Sequence, residues 1–171
     1  FKVVLTNNEG KMDIKKKLEA EIIQVMDTYW SSYLNGDLEN WASFLPDNYR
    51  NIGTTQEEIW NSKNEIVDYT HKVIDQMVGM AEMRNKETQV ISIEPYIMAN
   101  ELGDVYVKME TGWSFYAKIR LSTLLDKTDD GWKVLHQHGS YPDSKTAEGE
   151  TFAFDTLKAE NAKLQEAVKN R

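Results

Sequence analysis

Asp129-Asp130-Gly131-Trp132-Lys133-Val134-Leu135-His136-Gln137-His138-Gly139-Ser140 opens on a turn signal and continues as a strand. Side chains alternate faces along a strand. Strict alternation puts Trp132, Val134, His136 and His138 on one face and Lys133, Leu135, Gln137 and Gly139 on the other. The first set reads as a buried face that ends in two imidazoles, and so as a pocket wall.

Upstream of this strand the same period of two recurs. Trp113, Phe115, Ala117, Ile119 and Leu121 alternate with Ser114, Tyr116, Lys118, Arg120 and Ser122. Val105, Val107 and Met109 alternate with Tyr106, Lys108 and Glu110, after a turn read at Leu102-Gly103-Asp104. Ile91, Ile93 and Ile97 alternate with Ser92 and Glu94, and Pro95 marks a bend or an edge. Three or four antiparallel strands joined by tight turns follow from this pattern.

Earlier in the chain the period is helical. Ile22, Met26, Tyr29 and Tyr33 recur at helical spacing, as do Ile23, Trp30 and Leu34, on a helix that starts at Asp13 and ends at Asn35-Gly36. The segment before it, Phe1 to Lys11, reads as a tail that stays loose or adds an edge strand. Asp37 caps a short helix with Leu38, Trp41, Phe44 and Leu45 facing inward, and Pro46 stops it. Thr55-Gln56-Glu57-Glu58 and Ser62-Lys63-Asn64-Glu65 both fit capping boxes. The first predicts a helical turn carrying Ile59 and Trp60, and the second a helix with Ile66, Tyr69, Val73, Met77 and Met80 on one side. Helices first and a meander afterwards is an α+β order, with the helices covering one face of a curved sheet.

Beyond Pro142 the composition shifts. Residues 146–171 read as a linker and a charged helix in which Phe154, Leu157, Asn161, Leu164 and Val168 fall at alternating steps of three and four. A lone Asn at an a position favours a parallel two-stranded coiled coil. The chain begins at Phe1 and stops inside this helix, which reads as a fragment of a longer, processed or excised protein.

The 171 residues are 40% hydrophobic and 28% charged, as in ordinary globular domains. A net charge of -8 argues against a nucleic-acid partner. The absence of cysteine removes disulfides, thiolate nucleophiles and cysteine-ligated metals, and fits a reducing, cytoplasmic setting. No apolar run approaches the ~20 residues that cross a bilayer, so no membrane insertion is expected.

Several stretches together resemble the SnoaL-like branch of the nuclear transport factor 2-like superfamily. They are Tyr29-Trp30-Ser31-Ser32-Tyr33-Leu34-Asn35-Gly36-Asp37-Leu38-Glu39-Asn40-Trp41, Asn51-Ile52-Gly53-Thr54, Glu58-Ile59-Trp60 and Trp132 to Ser140. The resemblance covers residues 12–142 and implies a cone, cystatin-like in fold, with helices packed into a strongly bent antiparallel sheet. It also implies an interior pocket and, in many members, a dimer. The family hosts isomerases, cyclases, hydratases and non-catalytic modules, so the fold alone does not choose among them. In some bacterial members such a domain leads a signalling protein and runs into a coiled coil, as the helix from Phe154 would.

The candidate ligand-binding residues are Tyr29, Tyr33, Trp41, Trp60, Trp113, His136 and His138. Aromatic walls with a few polar groups suit a small apolar or aromatic ligand. The same side chains also read as plain core. His136 and His138 at i, i+2 on a strand could share a metal, but no third ligand falls on the same face, so neither a metal nor a cofactor is expected. The residues support a non-catalytic binding or sensory domain, the dimeric input module of a signalling protein. One alternative is an isomerase, cyclase or hydratase using His138 or His136 as base with Tyr33 as polar partner. It is weakened by the lack of an inward carboxylate in this reading. The other is an oligomerisation module whose pocket is packed shut by Trp60 and Trp113.

Overall fold

The computed structural model describes residues 2–146 and 148–169, with residues 2–11 as backbone only. The chain divides into two compact units, Phe1–Tyr141 and Pro142–Arg171. In the first unit, helix α1 (Lys2–Leu34) is followed by α2 (Leu38–Ser43), β1 (Arg50–Ile52), β2 (Ile59–Trp60) and α3 (Lys63–Val73). Four long strands complete it: β3 (Ala81–Ile93), β4 (Tyr96–Met109), β5 (Gly112–Thr128) and β6 (Gly131–Ser140). The second unit carries α4 (Phe154–Lys169).

The six strands form one sheet in the order β2-β1-β6-β5-β4-β3, with every pairing antiparallel except β1 against β6. The α+β expectation holds: a curved sheet with helices against its inner face. Ile22, Met26 and Tyr29 of α1, Leu38 and Trp41 of α2 and Ile66 of α3 pack with Ile97, Ala99, Leu125 and Val134 of the sheet into one core. Local chemistry sets the helix starts. The Asp37 carboxylate accepts from Asn40 N, and Ser62 Oγ accepts from Glu65 N.

Two expectations about elements are corrected. Residues 2–10 form neither a loose tail nor an edge strand, because α1 already begins at Lys2; Phe1 lies outside the described residues. Extending an existing helix costs little once its first turn is nucleated. The Thr55–Glu58 box does not start a helix either. Ile59 and Trp60 instead form β2, paired with Ile52 and Asn51.

The period of two also fails, at three defined places. Each long ladder contains an extra residue on one strand: two residues between Arg84 and Glu87 face one between Leu102 and Asp104, Tyr116 is unmatched on β5, and Leu135 is unmatched on β6. A bulge bends its strand and shifts the inward phase by one. On β6, Val134 is buried before the bulge, but Gln137 and Gly139 are the inward residues after it. The Val134 N–H donates to the Phe44 carbonyl at 2.8 Å, so the end of α2 meets the strand at this irregularity. On β3 the phase change leaves Ile93 exposed and turns Lys86, Thr88 and Val90 inward.

Gly103 is not in a turn. It is buried inside β4, where a Cβ would come within 2.8 Å of Met83 Cγ. This continuity makes Glu101 an inward residue, which corrects the expectation that no carboxylate points inside. Its side chain has no exposed surface, and every contact compensates it. Glu101 Oε1 accepts from Lys86 Nζ at 2.7 Å and from Thr88 Oγ1 at 3.3 Å, and Oε2 accepts from Trp30 Nε1 at 2.7 Å. Lys86 also pairs with Asp27 of α1 at 2.7 Å. Removing one partner of a buried pair strands the other's charge or donor. Glu101→Ala is expected to lower unfolding free energy by about 3 kcal/mol, read from denaturant melts, whereas Lys15→Ala in an exposed pair should change it by less than about 0.5 kcal/mol.

Candidate functional site

Between the helices and the inner sheet face lies a cavity of about 290 Å³. Its walls are mainly apolar. Tyr29, Trp30 and Tyr33 come from α1, Trp41 from α2, Trp60 from β2 and Tyr69 from α3. Ile66, Met77, Met83, Val105, Ile119 and Leu121 add to the apolar lining, with Leu34, Ile52 and Ala81. The aromatic rings brace one another edge to face or tilted. Tyr33 lies 5.2 Å from Trp41, Trp30 lies 6.2 Å from Tyr33, and Trp60 lies 4.6 Å from Tyr69.

Polar groups sit at two levels. Behind the aromatic wall, Tyr29 OH donates to Gln137 Oε1 at 3.2 Å, and Gln137 Nε2 donates to Thr123 Oγ1 at 2.9 Å. Asn51 Nδ2 donates to Tyr49 OH at 2.9 Å. These side chains are all buried, so the network is rigid and its amide orientations are fixed. The Trp41 indole N–H lies near the Tyr29 oxygen without reaching hydrogen-bond geometry, and it has no other acceptor among the described residues.

The second level is the loop from Gly53 to Glu58. Glu58 Oε2 accepts from Thr54 N at 2.8 Å and Thr55 N at 3.1 Å. The bond to Thr55 N is the capping-box contact, here closing a loop instead of a helix. Gly53 is required for it, because a Cβ there would sit 2.3 Å from Glu58 Oε2. Glu58, Thr54 and Gly53 all line the cavity, and so does Tyr141 from beyond β6.

The SnoaL-like domain family matches residues 22–144. The chain belongs to this family. Solved structures share the SnoaL-like domain's architecture at low identity. A domain of unknown function with a cystatin-like fold from Nostoc punctiforme aligns with a TM-score of 0.66 at 16% identity, over 89% of this chain and 92% of that one. An NTF2-like protein of unknown function from Pseudomonas putida gives 0.62 at 16% identity, over 77% and 94%. An NTF2-like protein with a cystatin-like fold from Novosphingobium aromaticivorans gives 0.62 at 13% identity, over 90% and 96%. At these identities the likeness concerns the fold alone. No curated protein matches the chain.

Within this SnoaL-like domain, Tyr29, Tyr33, Trp41 and Trp60 line the cavity. Trp113, His136 and His138 do not, which corrects three of the candidate positions. The bulge at Leu135 turns both histidines to the outer sheet face, where His136 stands beside Arg50 and His138 beside Ile52. Trp113 lies beyond the bulge at Tyr116, exposed near the β4–β5 turn, with the Arg84 guanidinium 5.9 Å from its ring centre. Among the described residues, no three His, Asp or Glu side chains converge as a metal-ligand set. No described helix is long and apolar enough to cross a membrane.

Glu58, Gln137, Asn51, Thr54 and Tyr141 line the cavity without being candidates from the sequence. Glu58 was visible only as a helix cap. Gln137 was assigned to the wrong face. For the two wall positions on β6, the adjacent apolar pair Val134-Leu135 was the available sign of a phase break.

Burial raises the phenol pKa of Tyr29, Tyr33 and Tyr49, in the case of Tyr49 to about 12. For Tyr33 the negative charge of Glu58 adds to the effect of burial. A phenol with a raised folded-state pKa holds its proton more tightly than in the unfolded chain. Its stabilising contribution is therefore complete below the unfolded value near 10 and is lost as pH rises towards the folded value. Stability should be flat from pH 8 to about 9.5 and fall steeply from about pH 10 to 12. Ultraviolet titration should show these three phenols ionising only as the protein unfolds.

Proposed function

We propose that this domain binds a small, largely apolar or aromatic molecule in the cavity without transforming it, as the input module of a dimeric signalling protein. The observation that carries the binding part is the cavity itself: an aromatic and apolar enclosure with a few fixed polar groups. Its walls are held by the buried Gln137 and Glu101 networks, so little ordering cost falls on binding. The alternative of an isomerase, cyclase or hydratase with a histidine base loses its support, because His136 and His138 face away from the cavity. Tyr33, its polar partner, lines the cavity but keeps its proton. A module with a closed pocket is disfavoured by the open volume beside Trp60.

The dimeric part rests on α4. Phe154, Leu157, Leu164 and Val168 are exposed at the heptad positions, and none of the helix's residues is buried. An unpartnered apolar seam of this kind is stabilised by a second copy of itself. Asn161 at the single polar a position would fix the register of the pair.

Two measurements test the reading. The uncharged fluorophore N-phenyl-1-naphthylamine should bind with a stoichiometry of one per chain and raise the melting temperature. Ile119→Trp, which fills the cavity, should abolish that binding in a protein that still melts cooperatively. Absence of binding to the unaltered protein would remove the pocket function. Light scattering should report a dimer that Leu157→Glu with Leu164→Glu converts to a monomer. An unaltered protein that stays monomeric at about 100 μM would remove the coiled-coil relay.

A further inference from the structure

The structure assigns a charge preference to the cavity: we infer that its ligand is an organic ammonium cation, held by Glu58 within an aromatic enclosure. This deepens the binding reading above and rests on it.

Among the described lining residues there are two carboxylates, Glu58 and Glu82, and no Lys, Arg or His. Glu82 is already neutralised by Arg84, which bonds it through Nε and Nη2. Glu58 has no basic partner among the described residues. Its Oε2 takes the Thr54 and Thr55 amides, while Oε1 receives no hydrogen bond from the described residues. The charge is therefore positioned by the backbone yet left uncompensated at one oxygen.

The surroundings magnify that charge. Burial raises the phenol pKa of Tyr33 and Tyr141, both lining the cavity, and Glu58's negative charge adds to it in each case. A lining that is largely aromatic and aliphatic screens the charge less than water would. The aromatic faces add to it with the same sign. Tyr33, Trp41, Trp60 and Tyr69 line the cavity with π-systems, and electron-rich aromatic faces attract cations, quaternary ammonium groups above all. A carboxylate ligand would meet the opposite: a fixed negative charge, negative ring faces and no donor cation. A neutral aromatic molecule would gain only apolar burial.

Isothermal titration of the full chain with benzyltrimethylammonium, benzyl alcohol and benzoate separates these cases. The cation should bind about tenfold or more tightly than the alcohol, and benzoate most weakly. The preference should shrink as salt rises. Glu58→Gln keeps an acceptor oxygen for the two amides but removes the charge, and cation and alcohol should then bind within about threefold of each other. Equal affinities in the unaltered protein overturn the charge preference while leaving the binding pocket standing. A preference that survives in Glu58→Gln overturns the role of Glu58. If neither benzyl alcohol nor N-phenyl-1-naphthylamine binds, the pocket reading itself fails, and this inference with it.

Discussion

A carboxylate with no contact to water has to be neutralised from inside the fold, and Glu101 is that group here. Isolating such a charge from solvent is costly unless every lone pair finds a donor. The donors come from three directions: Lys86 and Thr88 of β3 on one oxygen, and Trp30 of α1 on the other. Satisfying Glu101 therefore fixes where α1 crosses the sheet and how the Trp30 ring is turned. Since Trp30 is part of the cavity wall, the shape of the cavity is set by an ion pair that does not touch it. Hydrophobic contact alone would hold α1 on the sheet but would not choose its rotation, because apolar burial has no direction.

The elements of the fold were largely legible in the sequence, and the faces were not. Helix caps at Asp37 and Ser62, the Asp129-Asp130-Gly131 turn and the helical spacing of Ile22, Met26 and Tyr29 rest on local chemistry, and they appear where that chemistry puts them. Facing is a cumulative property. One unmatched residue reverses the parity of everything beyond it; the adjacent apolar pair Val134-Leu135 is the one local sign of such a break, and nothing at Tyr116 marks the other. His138 and Trp113 were misplaced for this single reason. Glu101 was missed because Gly103 looked like punctuation, when its lack of a side chain serves the close approach of Met83.

The aromatic part of the site was readable because aromatic residues on a helix stripe have few places to go. Its polar part was not, because Glu58 and Gln137 owe their positions to tertiary contacts. Glu58 reaches the cavity by closing a loop that required a two-residue strand after it and a glycine before it. Gln137 is an ordinary strand glutamine until the Tyr29 and Thr123 hydroxyls orient it.

The extra residue in β6 swaps which of its residues meet the interior. Gln137 and Gly139 face the cavity, while His136 and His138, their immediate neighbours, face outward beside Arg50 and Ile52. His136, His138 and Arg50 carry no part of the core or of the cavity lining. Mutational drift on that side is therefore uncoupled from the interior. A lineage could rewrite the outside of this strand, acquiring or losing an interaction there, while the cavity inside stays the same.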